Sequence, residues 1–169
     1  MKIRQLVETE YGNRINLTGR GLSKLPPDLP HSISGNFQCN DNDLISLEGC
    51  PSQVGDYFCC HENKLTSLEG CPSQVGSDFW CRENKLTSLH NVHKHISNIG
   101  GNFACRNNPI QSHILGLMMI EIGGEITTKL GNGSDVDEIL NKWKNQGRKG
   151  ALGCQRELIT AGYKELAQL

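Results

Sequence analysis

The stretch SLEGCPSQVGDYFCCHENKLTSLEGCPSQVG, residues 46–76, decides the fold: its first ten residues, Ser46 to Gly55, return unchanged at Ser67 to Gly76. Outward from this stretch the same pattern continues. Anchored on phenylalanine, the copies read Phe37, Cys39, Asn42, Leu44, then Phe58, Cys60, Asn63, Leu65, then Phe79, Cys81, Asn84, Leu86. A diverged copy follows at Phe103, Cys105, Asn108 and Ile110, and Ile15, Leu17, Leu22 and Leu25 fit upstream, with Arg20 in place of the asparagine. About five units of about 21 residues follow from this spacing, and self-similarity of that period marks a solenoid.

The pattern FxCxxNxL resembles the leucine-rich repeat, with Phe and Cys at two of the usual leucine positions. The resemblance covers Gly12 to about Ile110. LTGRGLSKLPPDLP, Leu17 to Pro30, looks like the first repeat of bacterial short-repeat proteins, and the Cys-bearing strand with its SLEGCP turn is similar to small bacteriophage-encoded members. Cys154 to Leu169 resembles the tail some of them carry. The family implies no reaction. It implies instead a concave face of parallel strands that binds a protein, and a phage origin would make a host protein the partner, with antiviral defence components among the candidates.

Composition bounds the alternatives. The 169 residues allow one solenoid and a small attached unit. A formal net charge of −1 supplies no global field for nucleic acid or an anionic membrane. The first residues, MKIRQLVETEYGN, lack the apolar core of a signal peptide, and no run reaches the roughly 18 apolar residues of a membrane span. The expectation is a cytoplasmic protein, in the host cytoplasm if phage-encoded. Four of the eight cysteines, Cys39, Cys60, Cys81 and Cys105, occupy the buried strand position and read as small core hydrophobes with free thiols. A disulfide between stacked cysteines and a structural zinc are the weighed alternatives; a reducing compartment and the absence of a CxxC pair count against them.

Alternation along each strand puts Phe58 and Cys60 inward and Tyr57, Cys59 and His61 outward. Leu65, Leu68 and Val75 then stack on their counterparts in adjacent copies, because one repeat cannot bury its own apolar side chains. Asn42, Asn63, Asn84 and Asn108 are placed to pair backbone groups at the turn, a ladder that Arg20 ends at the first repeat. Gly49-Cys50-Pro51 and Gly70-Cys71-Pro72 turn the chain on the convex side.

The outward positions are Asn36, Gln38 and Asn40, then Tyr57, Cys59 and His61, then Asp78, Trp80 and Arg82, then Asn102, Ala104 and Arg106. From these, with Glu83 beside them, the candidate partner-binding set is Tyr57, Cys59, His61, Asp78, Trp80, Arg82, Glu83 and Arg106. Trp, Tyr and Arg are the types enriched at binding hot spots; the plainer reading has Trp80 and Tyr57 merely packing on each other to cover the sheet. Cys59 and His61 invite a thiolate and base reading, but side chains two apart on a strand stand about 6.5 Å apart at the backbone, so no catalytic residue is expected. Three residues are inserted before Phe103, near His90, His93 and His95. Imidazoles suit zinc or nickel, yet without acidic or thiol ligands nearby a solvated loop is the expectation. No metal or cofactor is expected.

The expected domains are a repeat solenoid with its N-terminal cap over residues 1–110 and an α+β cap over residues 111–169. In the cap, His113 to Ile122 and Glu125 to Leu130 read as a hairpin joined by Gly123-Gly124, with a helix over Ser112 to Ile120 as the competing reading. A helix follows with Ser134 or Asp135 as N-cap and Val136, Ile139, Leu140 and Trp143 on its core face. A second helix runs from about Gly150 to Thr160 with Leu152, Leu158 and Ile159 inward and Gly162 as its stop. Arg148-Lys149-Gly150 at its start is a weak anion signal, read as an ordinary loop. The fold class is thus α+β: a short leucine-rich repeat solenoid closed by a hairpin and two helices. The function expected is non-enzymatic protein binding on the concave face; the alternative is a structural, self-assembling homo-oligomer using an exposed hairpin edge or its terminal repeat.

Overall fold

The computed structural model describes residues 14–131 and 135–168; the leader-peptide reading of the first thirteen residues and the Ser134 cap lie outside them. Each turn of the solenoid contributes two strands of two residues. The first sheet contains β1 (Ile15–Asn16), β3 (Phe37–Gln38), β5 (Phe58–Cys59), β7 (Phe79–Trp80), β9 (Phe103–Ala104) and β11 (Ile126–Thr127), adjacent in that order and all parallel. The second contains β2 (Ser32–Ile33), β4 (Gln53–Val54), β6 (Gln74–Val75), β8 (Asn98–Ile99) and β10 (Glu121–Ile122), also parallel. The sequence reading places Val75 in the core but does not foresee this second sheet.

Identical residues fall in register, so the core is a set of columns. Phe37, Phe58, Phe79 and Phe103 stack with ring centroids 5.8, 4.9 and 5.5 Å apart. Cys39, Cys60, Cys81 and Cys105 form a second fully buried column beside Leu44, Leu65 and Leu86. All eight cysteines are free thiols, and burial pushes that of Cys71 up to about 12.

The asparagine ladder is present. Asn63 Nδ2 donates to the carbonyls of Cys60, His61 and, in the preceding turn, Cys39, while its Oδ1 accepts from the Leu44 amide. Asn84 and Asn108 repeat the arrangement. At the first turn Asn42 Oδ1 accepts from the amides of both Arg20 and Leu22, which is how that turn closes without an asparagine of its own. Between the sheets, Gly55, Gly76, Gly100 and Gly123 form another column; a Cβ at Gly76 would lie 2.0 Å from the Gly55 carbonyl oxygen, so only glycine fits.

The C-terminal hairpin is not formed. β10 pairs with β8 and β11 with β9, so Gly123-Gly124 is the corner of one more turn, and both ladders run on past Ile110 to Thr127. The physical reason is register: Gly123-Gly124-Glu125-Ile126 repeats Gly100-Gly101-Asn102-Phe103, and a parallel ladder already offers its edge. Ahead of it, Leu115–Met119 forms a 3-10 helix, close to the competing helical reading. The histidine insertion is likewise not a plain loop but contains α1 (Val92–His95), with Val92 and the following Ile96 buried.

α2 (Asp135–Trp143) buries Val136, Ile139 and Leu140 as expected, with Trp143 packed against the core. Polar side chains of α2 and of Asn145 just beyond it finish the sheets. Asn141 accepts from the Ile126 amide and donates to the Ile126 carbonyl, Asn145 does the same at Ile122, and Asp137 accepts from the amides of Thr128 and Lys129. α3 (Gly147–Thr160) starts three residues earlier than expected and ends before Gly162, at φ +94°. Its inward stripe is Gly150, Ala151, Cys154 and Leu158, whereas Leu152 and Ile159 are exposed, 50% and 44%. A Cβ at Gly153 would strike the Trp143 ring, so close approach of α2 and α3, rather than residue size, sets which side faces in.

Candidate functional site

The outer face of the first sheet is a grid. In its central row, register places Gln38, Cys59, Trp80, Ala104 and Thr127 side by side on successive strands. Ala104, a single methyl between an indole and a branched side chain, leaves a depression of about 420 Å³. It is lined by Trp80, Ala104 and Thr127, by His61, Arg82 and Arg106 on one side, and by Asn102 and Glu125 on the other. Four of the eight expected site residues thus meet at one feature.

Tyr57 joins it indirectly, stacked on Trp80 with centroids 5.4 Å apart and planes 24° apart. Both rings stay half-buried. Their mutual packing is the covering arrangement foreseen as the plainer reading, and it also fixes the indole that walls the depression.

Cys59 faces outward with its row, as read, but is only 2% exposed, a small side chain hemmed in between Gln38 and Trp80 that offers a partner almost no surface. Burial pushes its thiol up to about 12, with Arg82 opposing and Asp78 adding to the rise. Asn36, also read as outward, is buried, and its Oδ1 finds no hydrogen-bond partner among the described residues.

Asp78 has a structural duty: its Oδ1 accepts from the Asn102 amide at 2.7 Å, and Asn102 in turn accepts from the Glu125 amide at 2.7 Å. Arg82 Nη1 donates to Glu83 at 2.9 Å, with Glu83 held in the left-handed region at φ +55°. Glu62 has the same backbone conformation and takes a hydrogen bond from His61 Nδ1 at 3.0 Å. Burial lowers the His61 pKa below its ordinary 6.5 and Arg82 lowers it further, with Glu62 pulling the other way. The Arg106 side chain makes no hydrogen bond or ion pair among the described residues. A high thiol pKa at Cys59 and a His61 engaged by Glu62 do not make a nucleophile and its base.

Elsewhere, His90 and His113 meet edge to face at 4.8 Å, and Nδ1 of the half-buried His93 finds no hydrogen-bond partner among the described residues. Among the described residues, no group of three or more His, Cys, Asp or Glu side chains is placed to hold a metal ion. No helix among them is long and apolar enough to cross a membrane. Glu125 and Thr127 are the site residues missed from sequence, because they were assigned to a hairpin. The repeated Gly-Gly spacing, 23 residues apart, was the signal that would have placed them. Comparison with protein-family models, with curated proteins and with solved structures found no match to this chain.

Proposed function

We propose that the protein is a non-enzymatic binding module of the short leucine-rich repeat type, engaging a protein partner on the outer face of its first sheet, which this repeat type makes concave. The observation that carries the reading is the grouping of Trp80, Tyr57, Arg82 and Arg106 on a rigid ladder around one depression. Aromatic and arginine side chains held on a fixed frame give large contact area at low ordering cost. If the chain is phage-encoded, as the resemblance of its repeats implies, the partner is a host protein in the cytoplasm, with defence components among the candidates. Self-assembly, if it occurs, would use the terminal repeat rather than a hairpin edge, since β11 is a parallel strand whose edge groups pair with Asn141 of α2.

Affinity capture from a bacterial host lysate tests the reading, with the parent run against a Tyr57→Ala, Trp80→Ala, Arg82→Ala variant of unchanged circular dichroism. A protein retained by the parent and lost by the variant is the expected result. Equal retention by both, or retention of the chain's own copies alone, would move function away from this face.

A further inference from the structure

We propose that the depression over Ala104 receives an acidic side chain from a peptide segment of the partner, its carboxylate seated on Arg106 and Arg82; this rests on the binding reading above. Register makes Arg82 and Arg106 equivalent positions of adjacent turns, and both side chains line the same depression. They are not equivalent in readiness. Glu83 holds Arg82 through Nη1 and leaves its other N–H donors available, and the side chain stays 28% exposed. Arg106 has its whole fork uncommitted. A planar fork matches the two oxygens of a carboxylate, which gives geometry as well as attraction.

The surroundings decide which anion. Arg82 and Arg106 are opposed by Glu83 beside them, by Glu62 at the equivalent position of the preceding turn, and by Glu125 across the depression. No surplus of positive charge remains. The three carboxylates outnumber the two guanidinium groups, so a phosphate dianion or a nucleic-acid backbone meets net repulsion, whereas a singly charged carboxylate meets about half of it and is held at short range by the arginine donors. Glu125 then faces the N–H donors of the same segment, and the Trp80 ring packs against its apolar stem. The occupant has its acidic group toward Arg106 and its donors toward Glu125, which fixes its orientation across the strands.

The test uses the full 15N-labelled chain, reading the arginine Nε–H and tryptophan indole signals by NMR. The probes are N-acetyl-glutamic acid amide, the neutral N-acetyl-glutamine amide and inorganic phosphate, all at matched ionic strength. Saturable shifts of Arg82, Arg106 and Trp80 with the glutamic acid probe alone are expected. R106Q, with its amide spectrum otherwise unchanged, should weaken them about tenfold, the order of losing one charge-assisted pair. Equal shifts with the glutamine probe, tighter binding of phosphate, or an unchanged response in R106Q would overturn the proposal. The titration is read on the protein alone, so it can fail while capture succeeds, and the reverse.

Discussion

At the residue scale, single side chains hold whole turns together. Asn63 pairs an amide and three carbonyls from two turns of the chain, most of them buried. Leaving any one such group unpaired costs about 1–3 kcal/mol, which explains why the asparagine recurs where neighbouring positions drift. His61 works in the opposite sense. Its pKa is lowered in the folded protein, so the unfolded chain binds the proton more readily. The associated stability is fully present above the ordinary 6.5 and is lost as the pH falls below it. We therefore expect the urea midpoint to drop between pH 7.5 and pH 5, and His61→Gln to flatten part of that drop. His93, also shifted down, accounts for a remainder. A midpoint that rises on acidification would contradict the assignment.

At the element scale, two devices set the architecture: the glycine corner and the side-chain cap. The corner stands in the sequence as a repeated QVG at residues 53–55 and 74–76, but what it does was not legible there, because only the fold shows that Gly55 backbone fills the space beside Gly76. The cap was legible as an amphipathic helix, since Val136, Ile139 and Leu140 follow the helical period. The polar part of the cap was not, because Asn141 on the helix and Asn145 just after it look like ordinary surface residues until the unpaired strand edge is in view. Each replaces the amide and carbonyl of a missing next strand. Asn141→Ala with Asn145→Ala should cost about 3 kcal/mol or more in chemical denaturation, since four strand-edge groups lose partners. A cost below about 0.5 kcal/mol, the level of an ordinary surface change, would show that water serves those groups equally well.

At the scale of the whole molecule, the chain is a one-dimensional stack whose regularity makes its exceptions informative. Repeat spacing alone located the phenylalanine and cysteine columns, the asparagine ladder and most of the outer row, because register turns sequence period directly into spatial neighbours. Spacing failed where identity faded. Ile126 and Thr128 no longer resemble Phe103 and Cys105, so the last turn was read as a hairpin and Glu125 and Thr127 were lost from the site. Alternation gave the direction of Cys59 but not its exposure, which depends on the size of Gln38 and Trp80 beside it. What emerges is a frame that varies along its outer row from one methyl at Ala104 to an indole at Trp80, and so presents one shaped feature on an otherwise repetitive face. The most direct test is calorimetric affinity of the captured partner for the parent and for Trp80→Ala. The account predicts an intact fold and a loss of about 2 kcal/mol or more, the scale of a hot-spot residue; an unchanged affinity in a folded variant would contradict it.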